Sequence, residues 1–473
     1  MPTDPRDLRA GAPLLDAWLR FHEQPPTPFT IPGHKQRHDL VGDVVAGDVP
    51  LYAGLDTMKL SARVLAEAEA RAARLWGADF CRFSSGGATH ANQAVALALG
   101  GDGGKIAVSR TLHRSLLLGL VLAGLTPVWV PSDVDPSTGL PLGVAPRALE
   151  RALAEHPDVR AVFVGDPSYV GTVGDVAGLA AVAHAHDVPL VVDAAWAAHF
   201  GFHPDLPRHA LQLGADAMVI SAHKTLPAWS QAALVLARTE RLDPGRLDAG
   251  VEATATTSPA GAVFASIDAA RALLERDGAS LLGDAIAATR AARDRLLSVD
   301  GLAVLDGPDV DPLKLTLALH GTGADGIAVE RDLLAAGLPV EAAERDLIVA
   351  VVSLADTRRS LDALADTLIA SIERHRGAPR AVVGPAAFGV EPVTKLPPRE
   401  AFFAAHDTVP AAEAVGRVST ELIAPYPPGI PVLAPGEEIT ADALAALADA
   451  REAGIRIAYA ADPTLATLRV VAR

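Results

Sequence analysis

Cysteine, lysine and aromatic residues are scarce in this chain of 473 residues. The single cysteine, Cys81, excludes an internal disulfide framework and a cysteine-rich zinc site. No uninterrupted apolar run reaches about 18 residues, the length that predicts a membrane-spanning helix. The first residues lack the basic and apolar regions of a secretory signal. We therefore expect a cytoplasmic protein that does not bind membranes.

Basic residues are also in the minority, since 41 Lys and Arg face 57 Asp and Glu, for a net charge of −16. This acidic balance argues against nonspecific nucleic-acid binding. Half of the residues are hydrophobic and 21% are charged, which is typical of a globular protein. The length allows two or three domains with a substantial core.

Short apolar runs alternate with helical patterns, which predicts an α/β fold with a mainly parallel sheet and helices on both faces. The predicted strands are residues 105–109, 126–131, 161–165, 190–193, 217–221 and 232–236. The predicted helices around them are residues 62–76, 91–99, 112–123, 146–155, 176–186 and 208–213. The patterns predict an N-terminal arm (1–61), a large domain (62–290), a smaller α/β lobe (291–380) and a C-terminal domain (381–473).

Lys224 is one of only six lysines and directly follows the apolar run 217–220 and the sequence Ser221-Ala222-His223. A lysine just past a buried strand offers the primary amine that an aldehyde cofactor requires. For an isolated Ser-x-His-Lys, a surface loop would explain the lysine better. The rest of the chain has to decide between the two interpretations.

Two other features have a similar ambiguity. Residues 189–193 read as a buried strand that ends in Asp193, and open α/β sheets bind ligands at the carboxyl ends of strands. The segment 84–90 contains Gly86 and Gly87 and leads into a predicted helix, whose N-terminus could bind phosphate. Alone, Asp193 could equally cap a turn, and the two glycines could simply cap the helix.

An amine, a carboxylate and a phosphate cradle together have one economical explanation, the cofactor pyridoxal 5'-phosphate (PLP). Lys224 would bind its aldehyde, Asp193 would keep its ring nitrogen protonated, and the glycine-rich loop would hold its phosphate. Zinc is a poor competitor, because His184 and His186 point apart on a helical pattern. A dinucleotide also fits poorly as the ligand, because no G-x-G-x-x-G motif follows a predicted strand.

Short motifs spread over nearly the whole chain carry a resemblance to a known family. They are Pro32-Gly33-His34-Lys35, Trp76-Gly77-Ala78, Gly86-Gly87-Ala88-Thr89, Arg110-Thr111-Leu112-His113-Arg114-Ser115, Asp166-Pro167-Ser168-Tyr169, Ser221-Ala222-His223-Lys224-Thr225-Leu226-Pro227, Thr256-Thr257-Ser258-Pro259 and the proline-rich loop 425–437. In these motifs the chain resembles the ornithine/lysine/arginine decarboxylases, PLP-dependent enzymes of the aspartate-aminotransferase-like fold. Its length is similar to that of the shorter members, which lack an N-terminal wing.

The resemblance implies decarboxylation of lysine, ornithine or arginine to the amine and CO2. It implies that Lys224 is the Schiff-base lysine, that Asp193 pairs with the pyridine nitrogen and that His113 stacks on the ring. Lys224 or His223 would return a proton to Cα. The residues implied around the phosphate are Gly87, Ala88, Thr89, Ser221 and His223.

Some of these roles have simpler alternatives. His113 could be an ordinary residue at a helix N-terminus, and His223 could be only a neighbour of the lysine. The family also implies a homodimer or a higher oligomer with the site at the interface, where Thr257 and Ser258 could reach the phosphate of the partner subunit. Ordinary loop polarity explains these two residues equally well.

Several positions depart from the family. Trp196 stands where many short members have histidine, and Trp229 replaces a smaller residue. We expect both tryptophans near the cofactor, where their bulk could narrow the pocket or change the substrate preference. The identity of the substrate therefore stays undetermined. Residues 53–60 also lack the expected acidic pattern. The carboxylates that could recognise a distal cation of the substrate are Glu421, Asp407 and Glu437, although a solvated surface charge is as good an explanation for each.

Two other functions remain open at this stage. Another PLP reaction, such as transamination or a lyase reaction, would need an arginine for the substrate α-carboxylate, and Arg358, Arg359 and Arg469 are available. A PLP-binding protein without activity is the second alternative.

Overall fold

A computed structural model describes residues 4–24, 29–49, 55, 63–101, 103–382, 390–426, 429–452 and 455–473. The departure noted at residues 53–60 lies outside this part of the chain, apart from Leu55. Pro427 and Pro428 of the proline-rich loop also lie outside it.

The helices alternate with strands over most of the chain. The α-helices are α1 (Pro13–Glu23), α2 (His38–Val41), α3 (Val64–Trp76), α4 (Gly87–Leu99), α5 (Arg114–Ala123), α6 (Pro146–Glu155), α7 (Val176–Ala185), α8 (Ala222–Thr225), α9 (Pro244–Thr254), α10 (Gly261–Leu296), α11 (Gly326–Ala335), α12 (Arg358–Arg374), α13 (Pro398–Phe403), α14 (Ala411–Ala414) and α15 (Ala441–Glu452). Short 3₁₀ helices cover Pro5–Gly11, Asp43–Val45 and Ala210–Leu213.

The strands form one large sheet and several smaller ones. They are β1 (Phe80–Ser84), β2 (Gly104–Ser109), β3 (Leu125–Val130), β4 (Ser132–Val134), β5 (Pro141–Val144), β6 (Val159–Gly165), β7 (Leu190–Asp193), β8 (Ala217–Ile220), β9 (Ala233–Ala237), β10 (Ala303–Val304), β11 (Lys314–Ala318), β12 (Ala342–Glu344), β13 (Leu347–Val351), β14 (His406–Pro410), β15 (Ala424–Tyr426), β16 (Arg456–Ala458) and β17 (Thr467–Val471).

The large sheet has seven strands in the order β1-β9-β8-β7-β6-β2-β3. The five strands from β8 to β3 pair in parallel, whereas β9 is antiparallel to both of its neighbours. Every residue of β7, β8 and β9 is buried, as expected for strands that helices cover on both faces. The predicted α/β fold with a mainly parallel sheet is confirmed.

One strand was missed and one predicted helix was wrong. The sequence analysis did not predict β1, because Arg82 interrupts its apolar pattern; in the structure Arg82 pairs with Asp248 at 2.7 Å. The predicted helix 208–213 is only a 3₁₀ helix of four residues. His209 accepts a hydrogen bond from the backbone N–H of Gln212 at its start, and Gly214, at φ +100°, ends it.

Smaller sheets follow the 36-residue helix α10. An antiparallel sheet in the order β10-β11-β13-β12 packs with α11 and α12, and the last part of the chain pairs β14 with β17 and β15 with β16. The predicted domain boundaries stay a prediction. Among the described residues no helix is both long enough and apolar enough to cross a membrane.

A buried ion pair ties the C-terminal part of the chain to the large sheet. Arg110, just after β2, donates two hydrogen bonds to the carboxylate of Glu437, at 2.6 and 3.0 Å, and a third to the carbonyl of Val432. The guanidinium also lies 4.5 Å from the ring centroid of Trp129. Because this bidentate ion pair is shielded from solvent, it fixes both the position and the orientation of the C-terminal segment relative to the large sheet.

We expect the Glu437→Ala variant to lose about 3–5 kcal/mol in free energy of unfolding, because it leaves the Arg110 charge buried and unpaired. Urea denaturation measures this loss. The double variant Arg110→Met/Glu437→Leu should lose less than Glu437→Ala, since no charge remains buried. The control is Asp133→Ala in the exposed pair with Arg147, which should cost less than about 1 kcal/mol. Equal losses in Glu437→Ala and the control would contradict the prediction.

Candidate active site

The carboxyl ends of four parallel strands meet at one edge of the large sheet. Strands β2, β6, β7 and β8 all run in the same direction, so the residues that follow them face one crevice. Asp193 ends β7 and pairs in register with Val219 of β8, five residues before Lys224. The structure therefore brings Asp193 and Lys224 together, as the sequence predicted, and His113 follows β2 at the same edge.

Lys224 lies in the short helix α8, which begins right after β8. Its burial lowers the pKa of the amine, while the negative charges of Asp193 and Glu341 oppose this effect. A lower pKa leaves a larger fraction of the amine uncharged and able to act as a nucleophile.

Trp196 contacts this lysine and a second one. The Nζ atom of Lys224 is 3.9 Å from the centroid of the Trp196 ring, and that of Lys314 is 3.5 Å from it. Because both distances end at the same centroid, the two nitrogens are at most 7.4 Å apart. Tyr169 packs edge-on against the same ring at 5.6 Å. Trp196 is thus in the site, as predicted.

The sequence patterns did not single out Lys314, which begins β11. It is 1% exposed, and its Nζ has no hydrogen-bond partner among the described residues. Burial lowers its pKa to about 8; Asp311 raises it and Lys224 lowers it further. A lysine pKa perturbed by burial and by a neighbouring amine is typical of functional sites.

Asp193 is held by donors from two directions. The side-chain N–H₂ of Asn92 donates to one carboxylate oxygen at 2.7 Å, and the backbone N–H of Ala195 donates to the other at 3.2 Å. Asn92 is fully buried in α4 and was also missed. Its only signal was a polar residue on the apolar face of a helix that follows the glycine-rich loop.

His113 caps the N-terminus of α5, and part of its surface stays exposed while its Nδ1 is engaged by Ser115. The surrounding protein lowers the pKa of its imidazole, and the carboxylate of Asp193 opposes this shift. Its capping role does not exclude the predicted contact with a cofactor ring, and that contact stays a prediction.

The predicted phosphate residues lie around the amino end of β9. The backbone N–H of Gly87 donates to the carbonyl of Gln231 at 2.8 Å, and Nδ1 of His223 lies 3.0 Å from the carbonyl of Ala232. Ala88 and Thr89 lie in the first turn of α4. Gly86 must lack a side chain, because a Cβ there would come within 2.7 Å of His90.

These residues fit PLP. Ser221 Oγ is buried and has no hydrogen-bond partner in the described part of the chain, so it has a proton to give to a ligand. The helix N-terminus of α4 adds unpaired N–H groups on the same side of the crevice. Lys224 offers the amine and Asp193 the carboxylate.

The three carboxylates proposed for the substrate cation are already engaged. Glu437 pairs with Arg110, as described above. Each oxygen of Glu421 accepts a backbone N–H at 2.8 Å, from Ala461 and from Arg469. Asp407 is exposed and pairs with Arg417 at 3.0 Å. Glu341 instead is the acidic residue whose charge acts on Lys224, Lys314 and Tyr169, and the sequence analysis missed it.

Other candidates lie away from the crevice or on the surface. Arg358 and Arg359 are exposed on α12, where Arg358 pairs with Asp362, and Arg469 is exposed on β17. Trp229 is 53% exposed, and its expected place near the cofactor stays a prediction. Thr257 and Ser258 are exposed in the loop before α10.

The buried Lys314 predicts a specific pH dependence of stability. Its pKa is 10.5 when unperturbed and about 8 in the folded chain, so between these pH values the unfolded chain binds more protons than the folded one. The free energy of unfolding therefore rises with pH over this interval, by roughly 3 kcal/mol from this group. Urea denaturation at pH 7 and pH 10 should show that Lys314→Met loses most of this rise.

The comparison of two pH values removes the effects of the substitution that do not depend on pH. Lys105→Met is the matched control, since Lys105 is a surface lysine paired with Asp158. It should keep the pH dependence of the unaltered protein. A Lys314→Met variant with the same rise as the control would show that Lys314 is not responsible.

Comparison with known proteins agrees with the geometry. Residues 12–307 match the family model described as Orn/Lys/Arg decarboxylase, major domain, and residues 385–452 match Orn/Lys/Arg decarboxylase, C-terminal domain. The chain is 32% identical to an arginine decarboxylase of Halalkalibacterium halodurans and 29% identical to one of Bacillus subtilis, with 97% of each chain covered.

Among solved structures, the lysine decarboxylase LdcF of Francisella novicida is similar over 97% of this chain and 80% of its own, with a TM-score of 0.82. At 20% identity this similarity shows the shared fold alone. The match of the family model to residues 12–307 goes further, and the residues of the crevice fit the cofactor of the family. This chain therefore belongs to the Orn/Lys/Arg decarboxylase family and is a PLP-dependent amino-acid decarboxylase.

Proposed function

We propose that this chain decarboxylates arginine to agmatine and CO2, with lysine and ornithine as weaker substrates. The observation that favours a basic substrate is the negative charge of Glu341, which is close enough to raise the pKa of both amines of the crevice. The relatives named arginine decarboxylase, which align over nearly the whole chain, support arginine as the first choice.

The residues around the crevice have separate tasks in this reaction. PLP, when bound, supplies the aldehyde that takes up the substrate amine and a ring that withdraws electrons from the bond to the leaving carboxylate. Lys224 binds the aldehyde through its amine. Asp193 keeps a proton on the ring nitrogen through its negative charge. Ser221, His223 and the first turn of α4 bind the phosphate.

A proton has to return to Cα after CO2 leaves, and two residues can supply it. Nδ1 of His223 must donate to the carbonyl of Ala232, which can only accept. Nε2 can then donate to the phosphate, or deliver a proton to Cα, only after it has taken up a second proton. Lys224, with its lowered pKa, is the second donor.

Glu341 recognises the distal cation of the substrate in this proposal. Glu341 is exposed and directly precedes β12, whose first residue, Ala342, belongs to a hydrophobic cluster against which Tyr169 packs. A guanidinium can form two hydrogen bonds to such a carboxylate, which favours arginine over the single ammonium of lysine. The apolar faces of the Tyr169 and Trp196 rings suit the methylene groups of the substrate.

We also infer that two chains assemble. Five apolar side chains of the N-terminal arm are exposed, namely Phe29, Ile31, Leu40, Val41 and Val44, with Phe29 at 95%. A run of exposed apolar residues is typical of an interface. We expect sedimentation velocity to give twice the chain mass of 48.8 kDa, and Phe29→Ser/Val44→Ser to shift the mass toward one chain. A single-chain mass for the unaltered protein would exclude the dimer.

The activity is tested by amine-product detection with arginine, lysine, ornithine and neutral citrulline, which has the shape of arginine without its charge. We expect the unaltered protein to prefer arginine over citrulline in kcat/KM. Glu341→Gln should reduce this preference about 10- to 100-fold, since a hydrogen bond to a charged group contributes roughly 1.5–3 kcal/mol. Lys224→Ala should lose both activity and the visible absorbance of lysine-bound PLP.

Glu330→Gln, on α11 of the same lobe, is the matched control and should keep the preference. If Glu341→Gln discriminates arginine from citrulline as well as the control does, Glu341 is not the recognition group. If no basic amino acid gives CO2 while PLP binds at Lys224, the proposed substrate class is wrong.

A further inference from the structure

Four polar side chains form a continuous hydrogen-bonded chain beneath the crevice. It runs from Asp193 to Asn92 at 2.7 Å, from Asn92 to Ser115 at 3.0 Å, and from Ser115 Oγ to Nδ1 of His113 at 2.7 Å. The two inner members are buried, Asn92 at 0% and Ser115 at 2% exposure. The chain connects α4, α5 and the end of β7, and its two outer members are the residues expected to contact the cofactor ring.

The direction of every hydrogen bond in this chain is determined. A carboxylate only accepts, so the side-chain nitrogen of Asn92 must face Asp193, and its second hydrogen then points to Ser115 Oγ. Because Ser115 Oγ accepts from Asn92, its own single proton is free to be donated to Nδ1 of His113. The backbone N–H of Ser115 donates to the same Nδ1, at 3.2 Å. Nδ1 therefore carries no proton.

The orientation of Asn92 is costly, which indicates that something enforces it. Its Oδ1 is buried and has no hydrogen-bond partner in the described residues. Leaving such an acceptor unpaired costs free energy. The opposite orientation would aim this oxygen at the negative Asp193, and repulsion excludes it. The charge of Asp193 thus sets the orientation of the amide.

We propose that Asn92 and Ser115 are positioning residues: the charge of Asp193 orients the Asn92 amide, the amide directs the Ser115 hydroxyl to donate to Nδ1 of His113, and the imidazole is thereby held neutral with its proton on Nε2. This inference rests on the proposed contact of Asp193 and His113 with PLP. It extends that proposal by naming the residues that fix the state of the histidine. Neither Asn92 nor Ser115 needs to touch the cofactor.

The series of hydrogen bonds from Asp193 through Asn92 and Ser115 explains why His113 resists protonation even though Asp193 is near. A proton on Nδ1 would leave both the hydroxyl and the backbone N–H of Ser115 without their acceptor. This loss acts in the same direction as desolvation by the surrounding protein and as the positive charges of Lys224 and Arg114, all of which lower the pKa of the imidazole. A neutral ring fixed in one orientation is a suitable surface for a flat cofactor.

The test uses full-length protein with ¹⁵N-labelled histidine, with and without PLP and without substrate, so that its outcome does not depend on which amino acid is decarboxylated. NMR distinguishes protonated from unprotonated ring nitrogens, and a His113→Gln variant assigns the signals. We expect Nδ1 of His113 to be unprotonated and Nε2 protonated at neutral pH. A neutral His113 with its proton on Nδ1 would overturn the proposal.

The same spectra, followed over pH, test the two positioning residues. Ser115→Ala should raise the pKa of His113 by about one unit, because one donor to Nδ1 is lost. Asn92→Ala should raise it by a smaller amount, and the double variant should show no larger shift than Ser115→Ala alone. Ser115→Thr keeps the hydroxyl and should restore the low pKa, which separates the relay from a general loss of folding.

The chain offers a matched control in a second serine–histidine pair, Ser84 and His90, whose Oγ and Nδ1 are also 2.7 Å apart. Ser84→Ala should change the signals of His90 and leave those of His113 unchanged. An unchanged His113 pKa in Ser115→Ala, or additive shifts in the double variant, would contradict the proposed role of Asn92 and Ser115. Neither result would bear on the proposed decarboxylation.

Discussion

The parallel pairing of β7 with β8 is the constraint on which the site depends. It brings Asp193 and the turn that carries Lys224 to the same edge of the sheet, in strands whose residues are all buried. Lys224 therefore has its amine in a largely enclosed place, where burial lowers its pKa. The carboxylate of Asp193 opposes this shift. The chemistry of the crevice begins with this balance.

The rest of the chain closes the crevice around that pair. Arg110 and Glu437 tie the C-terminal part to the end of β2, three residues before His113. The small antiparallel sheet supplies Lys314 and places Glu341 beside β12, so a second lobe adds one positive and one negative charge. The ring of Trp196 contacts both amines, so each of them has an apolar surface beside it. The site is thus assembled from three separate parts of the chain.

Local patterns predicted well the residues that follow strands. Lys224, Asp193 and the loop before α4 could be found because apolar runs ended in residues with suitable chemistry. Asn92, Lys314 and Glu341 could not, because each lies within or next to a regular element whose pattern shows only that it is polar. Glu421 and Glu437 were plausible by position, but their carboxylates hold the fold together. Trp229 is exposed, and its expected place near the cofactor stays a prediction.

The sequence by itself determined the fold class, the cofactor and the family, since these depend on the order of strands and helices and on short motifs that are local in the chain. Only the tertiary structure decided which charges act on one another. Asn92 and Asp193 are 101 positions apart, and Arg110 and Glu437 are 327 apart, yet each pair is hydrogen-bonded and buried. Electrostatic forces depend on distance in space and on the exclusion of water, and neither is written in the local pattern of residues.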